Sequence, residues 1–592
     1  MPRYNKRGFP VCHGGGGEIL VFILYAPLTP LRLGHTMKRN PPLRGTCIMR
    51  NKVIWVLTAL LGLAGCVAFY QFVLETESNV PVQNSLDAVA KLDNPPAAVP
   101  SSRPKQPDIL TYWVNQEKKS EQAGLTETAA AYRNRIDQYA AGLPTLPLMT
   151  PNWPNIQTPS TNMELYLRVP MSAQPLQSVQ PLKPTETAIP ATSALAKHEP
   201  ASGVYIGMLG ADRRVGYDVT KIEDIYGRKH ALYLSYVGWR KVQTDTNTYF
   251  PARTAERVKE LDGALQIGWE PRFGLDDVQD DEYVRRFARE AKASGIPIFL
   301  RYASEMNGAW VPWHGEPQKY IEKFRLIHDI MAEEAPNVAM VWSPNFWPPD
   351  TIDSYYPGDA FVDWVGFSLY STPISAEKEQ LKGTVIDTFA PLYKRYSHKP
   401  IMISEGAVAH TYLPTNQAYW SWAESQLGYM YGLLPRLFPQ VKAITYFNFS
   451  KAQAIRTNGT YVYDIGENPF MDGYYQRLIA SDWFLSKVEP GVDPIPYRYT
   501  PVLDRSLPSG QQTVLVYPKL TNEQGKPPFA IAMYQGNQFL GVSYEAPWEI
   551  DIQVQSESAS EPWYVVAYND QMEVTAVNSG VAPIAQANRG TP

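Results

Sequence analysis

The sequence predicts an α/β chain: a (β/α)8 barrel with a small all-β sandwich behind it and, in front, a single N-terminal transmembrane anchor and a proline-rich stalk. Three observations carry that prediction. Between residues 201 and 489, short apolar runs alternate with amphipathic helical segments. After residue 490 the helical period stops and apolar and polar residues alternate in strand fashion. Ahead of both lies an unbroken apolar stretch followed by sequence rich in Pro, Ser, Thr and Ala. At 592 residues the chain exceeds one ordinary domain, so two folded units with linkers are expected.

Residues 1–48 contain the Gly14 to Gly17 run, scattered prolines and no sustained periodicity, and read as a cytoplasmic tail or an upstream extension of the reading frame. The stretch 53–74 (Val53 to Leu74) matches the roughly 20 residues a helix needs to span a bilayer. Arg44, Arg50 and Lys52 precede it and Glu75 and Glu77 follow it, so the positive-inside rule leaves the N-terminus in the cytoplasm and the rest of the chain in the cell envelope. Within it, Leu63-Ala64-Gly65-Cys66 resembles the lipobox of bacterial lipoproteins, so lipidation at Cys66 stands as the alternative to a signal anchor. All three cysteines, Cys12, Cys47 and Cys66, fall in this leader, and everything downstream is expected to fold without a disulfide or a cysteine-held metal. Residues 75–200 read as a stalk, interrupted by a short helix between Ile109 and Ala141.

Eight apolar runs follow: Val204 to Gly210, Ala231 to Trp239, Ala264 to Pro271, Pro297 to Met306, Val338 to Asn345, Val362 to Tyr370, Pro400 to Gly406 and Val441 to Ser450. Helical stripes separate them, as in Tyr283, Val284, Phe287, Ala288 and Ala291 before the fourth run. Eight such units fit a closed parallel barrel, whose functional groups gather at the C-terminal ends of the strands. Residues 490–582 hold the alternating runs Thr513 to Leu520, Phe529 to Tyr534, Phe539 to Tyr544, Glu549 to Val554 and Trp563 to Tyr568, with Gly536-Asn537 as a hairpin signal. The tail 583–592 reads as disordered.

Two glutamates stand out. Glu305 ends the fourth run and Glu405 the seventh. A carboxylate at the end of a buried strand loses hydration, which is tolerated where the group has partners or a task. Two of them at one end of a barrel are what cleavage of a glycosidic bond requires, and opposite strands could bring them to about 5 to 5.5 Å, the spacing of a retaining enzyme. A net charge of -4 and a pI of about 6.1, without a long basic run, give no footprint for nucleic acid. Aromatic residues make up 12% of the chain, which suits sugar rings stacking in a cleft as well as ordinary core packing.

The segment Ile298 to Trp313, with Arg301, Glu305-Met306-Asn307-Gly308, Trp310 and Trp313, resembles the signature of glycoside hydrolase family 26, a family of β-mannanases with some β-glucanases and xylanases. Trp269-Glu270-Pro271, Trp342-Ser343-Pro344-Asn345, Tyr356-Pro357-Gly358-Asp359, Val362-Asp363-Trp364-Val365-Gly366 and Tyr370 are similar to further blocks of that family, in order, so the likeness covers residues 203–488. The resemblance implies that Glu305 is the acid/base and Glu405 the nucleophile, that Tyr370 hydrogen-bonds the nucleophile, and that Trp310 lines the subsite beside the scissile bond. Trp313, Arg301, Asn307 and Trp342 complete the expected substrate-binding set. Packing alone would equally explain Trp342 and Trp269, and Arg301 suits holding a carboxylate better than touching sugar. Most characterised members carry His where this chain has Ser304. Gly541, Ala546-Pro547-Trp548 and Val565-Val566-Ala567 resemble a bacterial immunoglobulin-like domain.

The expected function is a retaining, endo-acting glycosidase for β-1,4-mannan or a related β-glycan, without metal or other cofactor, partnered by a polysaccharide and by the membrane through its anchor. The alternatives are a β-glucanase trimming the exopolysaccharide of the cell envelope, and a glycan-binding envelope protein without catalysis.

Overall fold

The computed structural model describes residues 108–144, 163–171 and 195–580, apart from short breaks at 241, 243, 246, 503–506, 521–524, 537 and 556–562. The tail 1–48, the apolar stretch Val53 to Leu74, the three cysteines and the segment 583–592 lie outside the described residues. Among the described residues no helix is long and apolar enough to cross a membrane.

Eight parallel strands close on themselves: β1 (Val204–Ala211), β2 (Leu232–Gly238), β3 (Ala264–Glu270), β4 (Ile298–Tyr302), β5 (Val338–Trp342), β6 (Trp364–Ser371), β7 (Ile401–Val408) and β8 (Val441–Phe449). They pair in chain order, and β8 returns to β1 with Ala443 beside Tyr205 and Phe449 beside Ala211. All eight apolar runs are barrel strands. Every residue of β1, β4, β5, β7 and β8 is buried, because one face looks into the barrel and the other lies under helices.

The helices begin and end where local chemistry dictates. Glu282–Ser294 starts at Asp281, whose carboxylate accepts the Val284 N–H, and stops at Gly295, which takes the left-handed conformation (φ 66°) that relieves the last turn. Its stripe seats Phe287 flat on Trp269, ring centroids 4.0 Å apart. Val385–Tyr396 opens with a reciprocal capping box between Thr384 and Asp387.

Inside the barrel, Tyr205, Leu232, Ala264, Phe299, Val341, Trp364, Met402 and Ala443 form an apolar floor. Above it lies a polar layer. Gln266 donates to the Ser404 carbonyl (2.5 Å) and accepts from Thr445 (2.7 Å), while Ser343 and Ser404 share a hydrogen bond of 2.7 Å. Such groups are tolerable in a core because each finds a partner.

Behind the barrel, two four-stranded antiparallel sheets pack face to face, in the orders 497–501, 163–170, 510–518, 549–554 and 538–543, 530–535, 563–568, 574–580. Their apolar sides meet through Leu165, Val514, Val516, Ile550 and Ile552 on one sheet and Ile531, Met533, Val565 and Ala567 on the other. The five strands expected after residue 490 are present, with Tyr497–Pro501 and Val574–Gly580 in addition.

Two parts of the span read as a stalk, 75–200, are instead built into this unit. Met163–Pro170 is a strand between Tyr497–Pro501 and Gly510–Pro518, with Met163, Leu165 and Leu167 buried. Ile109–Gln122 and Thr126–Ala141 form a helical pair over the second sheet's outer face, where Trp113 stacks on Phe529 at 5.6 Å beside Tyr132 and Phe470. The alternation of 163–169 is a strand signal, but it is seven residues long and flanked by proline-rich sequence, so average composition concealed it.

The sheets are fastened to the barrel. The turn at Ala546 rests on the segment Trp420–Leu437 at two glycines, and a side chain at Gly428 or Gly432 would come within 3.2 or 3.0 Å of the Ala546 methyl. Arg436 pairs with Glu549 at 2.6 Å and Arg477 with Glu545 at 2.5 Å around that seat.

Candidate active site

The C-terminal mouth of the barrel collects the carboxylates. In β7 the register against β6 slips between Ile403 and Glu405, a bulge that adds one residue. Strict alternation would turn Ser404 and Glu405 to opposite faces. The bulge turns both inward: Ser404 meets Ser343, and Glu405 meets Arg301, Tyr236 and Tyr370. Gly366 makes this possible, since a Cβ there would lie 2.9 Å from the Ser404 hydroxyl.

Three donors converge on Glu405. Arg301 Nη1 donates to Oε2 at 3.0 Å, the Tyr236 hydroxyl donates to the same oxygen, and the Tyr370 hydroxyl donates to Oε1. Arg301 is fully buried, and its remaining N–H groups reach Ser343 (3.1 Å), Tyr236 (3.2 Å) and Ser368 (3.3 Å). A guanidinium anchored on so many sides presents a fixed positive charge to the carboxylate. Burial, and then the charge of Glu405, push both phenols well above their ordinary pKa, so each remains a proton donor.

Glu305 sits three residues beyond the end of β4. Its φ of +60°, with Ala303 at +47°, folds the chain back over the barrel mouth, and its N–H donates to the Ser343 carbonyl at 2.8 Å. Positive φ at two non-glycine residues is a strained arrangement of the kind found at functional sites. Trp310 Nε1 donates to Oε2 at 2.7 Å and Asn345 Nδ2 to Oε1 at 2.9 Å. Burial, and next the negative charge of Glu405, hold the Glu305 carboxyl above the usual carboxylate range, against the opposing hydrogen bonds from Trp310, Ser368 and Asn345. One glutamate is thus surrounded by donors, and the other is biased toward its protonated form.

The structure redistributes the expected substrate-binding set. Trp310 and Tyr370 stand at the mouth, half-buried, each bonded to one glutamate. Arg301 is fully buried beneath Glu405. Asn307 is buried and fully engaged: Nδ2 donates to the carbonyls of Asn345 (2.9 Å) and Pro348 (3.1 Å), and Oδ1 accepts the Asn345 N–H (2.9 Å). Its part is to hold Asn345 in place. Trp313 is buried, with Nε1 donating to the Ser304 carbonyl at 2.8 Å. Trp342 is on the outside of the barrel wall, packed on Tyr356 and Tyr396 at 4.8 and 5.3 Å. In Asn307, Trp313 and Trp342 the amide or indole is engaged by the protein's own packing.

Sequence reasoning passed over Tyr236, Glu270, Asn345, Ser368 and the exposed Trp347. Tyr236 shares strand parity with Leu232 and Leu234 at the C-terminal end of its run, a signal that was available. Glu270 and Asn345 lie in the blocks Trp269-Glu270-Pro271 and Trp342-Ser343-Pro344-Asn345, which resemble the family without marking a role for either residue. Trp347 is 62% exposed, and its backbone N–H donates to Asn345 Oδ1 at 3.0 Å.

Residues 279–429 match glycosyl hydrolase family 26. The chain is similar to Endoglucanase H of Acetivibrio thermocellus, 28% identical over 276 residues that make up 44% of this chain and 29% of that protein. It is also similar to Beta-1,3-xylanase TXYA of a Vibrio species, 31% identical over 210 residues, 33% of this chain and 44% of that one. The chain therefore spans less than half the length of either relative. Among solved structures it is similar to an endo-beta-1,4-mannanase double mutant of Cellulomonas fimi, with 16% identity, 64% of this chain and 93% of that chain covered, and a TM-score of 0.37.

Proposed function

We propose that this chain, which belongs to glycosyl hydrolase family 26, is a retaining endo-acting glycosidase for β-1,4-mannan or a related β-glycan. The observation that carries the reading is the opposed environment of the two glutamates: Glu405 gripped by Arg301, Tyr236 and Tyr370, and Glu305 raised by burial beside it. In the first step Glu305 gives its proton to the glycosidic oxygen as that bond breaks, while Glu405 attacks the anomeric carbon and becomes an ester. Esterification removes the negative charge of Glu405. One of the two influences raising Glu305 disappears with it, so the carboxylate left after proton transfer can take a proton from water as that water attacks the ester. Hydrolysis returns Glu405 to a carboxylate and Glu305 to its acid form, with net retention at the anomeric carbon.

The test is incubation of the full chain with mannan, glucomannan, mixed-linkage β-glucan and xylan, beside the Glu305→Gln and Glu405→Ala variants. Release of oligosaccharides by the unaltered chain alone, with the β-anomer first in a proton NMR time course, is expected. Release of the α-anomer first would replace retention by inversion, and hydrolysis undiminished in both variants would move the site elsewhere.

The same proposal places the enzyme on the outer side of the membrane, tethered through Val53 to Leu74 or a lipid on Cys66, with the antiparallel sheets as an immunoglobulin-like companion. The apolar length, the charges flanking it and the lipobox likeness support the tether. Mass spectrometry of the mature N-terminus distinguishes the two attachments, and a soluble, unlipidated product beginning after Glu75 would remove both.

A further inference from the structure

Glu270 ends β3 at the barrel mouth, between β2, which carries Tyr236, and β4, which carries Arg301, with Gly238 as its register partner. It is half-buried, and its carboxyl receives no hydrogen bond or ion pair from any described residue. The polar groups around it are spent on one another: Tyr236 and Arg301 on Glu405, Ser343 on Ser404, and Asn345 on Glu305. A carboxyl withdrawn from bulk water with no protein donor is costly unless something else supplies the hydrogen bonds.

What surrounds Glu270 says where it faces. Glu270 has the strand parity of Gln266, whose side chain lies inside the barrel, and the flanking strands carry Tyr236 and Arg301, both bonded to Glu405, so it faces the same cleft on the nucleophile's side. The guanidinium of Arg272 lies over Gly238, where a Cβ would fall 1.3 Å from Nη2. The sugar next to the nucleophile is the one whose anomeric carbon is attacked, the glycone side of the scissile bond.

Building on the glycosidase reading, we propose that Glu270 is a substrate-binding residue whose carboxyl takes hydroxyl groups of the glycone pyranose at the cleavage point, and through them helps select the sugar. A site built to hydrogen-bond a hydroxyl discriminates strongly against an analogue lacking it, because the group left behind is then unpaired. In its protonated form the carboxyl both donates and accepts, which suits a sugar hydroxyl doing the same.

The experiment uses the full chain and a series of aryl β-oligosaccharides of the sugar it hydrolyses, intact or lacking single hydroxyls on the glycone ring. Glu270→Ala is expected to lower kcat/KM on the intact substrate by roughly 10- to 100-fold. Glu270→Gln, which keeps a donor and an acceptor, should recover part of that loss. The loss should shrink to less than about threefold on the one analogue missing the bonded hydroxyl, a result no purely structural role would give. A loss below twofold on the intact substrate, or an equal loss across the whole series, overturns the proposal while leaving the glycosidase reading standing. Silence of the unaltered chain on every polymer and every aryl glycoside would instead sink that reading, and this inference with it.

Discussion

Arg301 Nη1 lies 3.0 Å from Oε2 of Glu405, and the arginine side chain that makes this contact has no exposure to solvent at all. A buried cation of that kind is held by four oxygen partners, those of Ser343, Tyr236, Ser368 and Glu405. Removing it leaves the carboxylate buried without its counter-charge. Arg301→Met should destabilise the fold by about 3 to 5 kcal/mol, read as a lower denaturant midpoint. Arg301→Lys keeps the charge without the fork, so it should fold better but lose roughly 100-fold in kcat. Equal activity of Arg301→Lys and the unaltered chain would deny that the fork's geometry matters.

Acid catalysis requires Glu305 protonated, so activity should fall at alkaline pH as that group ionises. The Trp310 hydrogen bond favours the ionised form, and its loss in Trp310→Phe should move the alkaline limb of kcat/KM to higher pH. Glu405→Gln removes the neighbouring charge and should move the Glu305 titration the opposite way, toward lower pH, observable by carbon NMR of labelled glutamate. Shifts of the same sign in the two variants would contradict this electrostatic account.

Asn307 supports catalysis at one remove. Its amide makes two hydrogen bonds to the Asn345 backbone and one to the Pro348 carbonyl, and Asn345 in turn donates to Glu305. Asn307→Ala should cost about 1 to 3 kcal/mol of stability and reduce kcat more than it changes KM. A change in KM alone would return Asn307 to direct contact with substrate.

Glu270 is pushed up to about 8, first by burial and then by the charge of Glu405. Its folded value lies above the ordinary 4.5, so between those two values the folded state holds a proton that the unfolded chain has released. Stability from this group therefore falls as pH rises through that window. Glu270→Gln should unfold at nearly the same temperature as the unaltered chain at pH 4 and at a higher temperature at pH 8. A gain that did not grow with pH would show that ionisation of Glu270 carries no such cost.

Trp347 presents an indole to solvent next to Asn345, on the acid/base side of the cleft. An aromatic face there suits stacking against a sugar on the leaving side. Trp347→Ala should raise KM on long oligosaccharides by up to roughly tenfold with less effect on short aryl glycosides, and an equal effect on both would place the indole elsewhere.

Hydrophobic period determined much of this chain. Eight apolar runs separated by helical stripes have one economical closure, and the two glutamates stand at the ends of the fourth and seventh of them, so the barrel and its carboxylate pair were legible from local pattern. What depended on residues far apart in sequence was not. The bulge at Ser404 turns two successive side chains inward against the alternation a strand obeys. The left-handed turn that carries Glu305 is sustained by the Ser343 carbonyl from another strand, and the strand 163–170 finds its sheet only across the whole length of the barrel. Sequence likewise cannot separate an indole that packs from one that meets substrate: Trp342, Trp313 and Trp347 are the same side chain, and only the tertiary environment leaves Trp347 exposed. Local propensity settles which elements form, while a site is made of contacts between elements, and those are set by packing, desolvation and charge once the chain has closed.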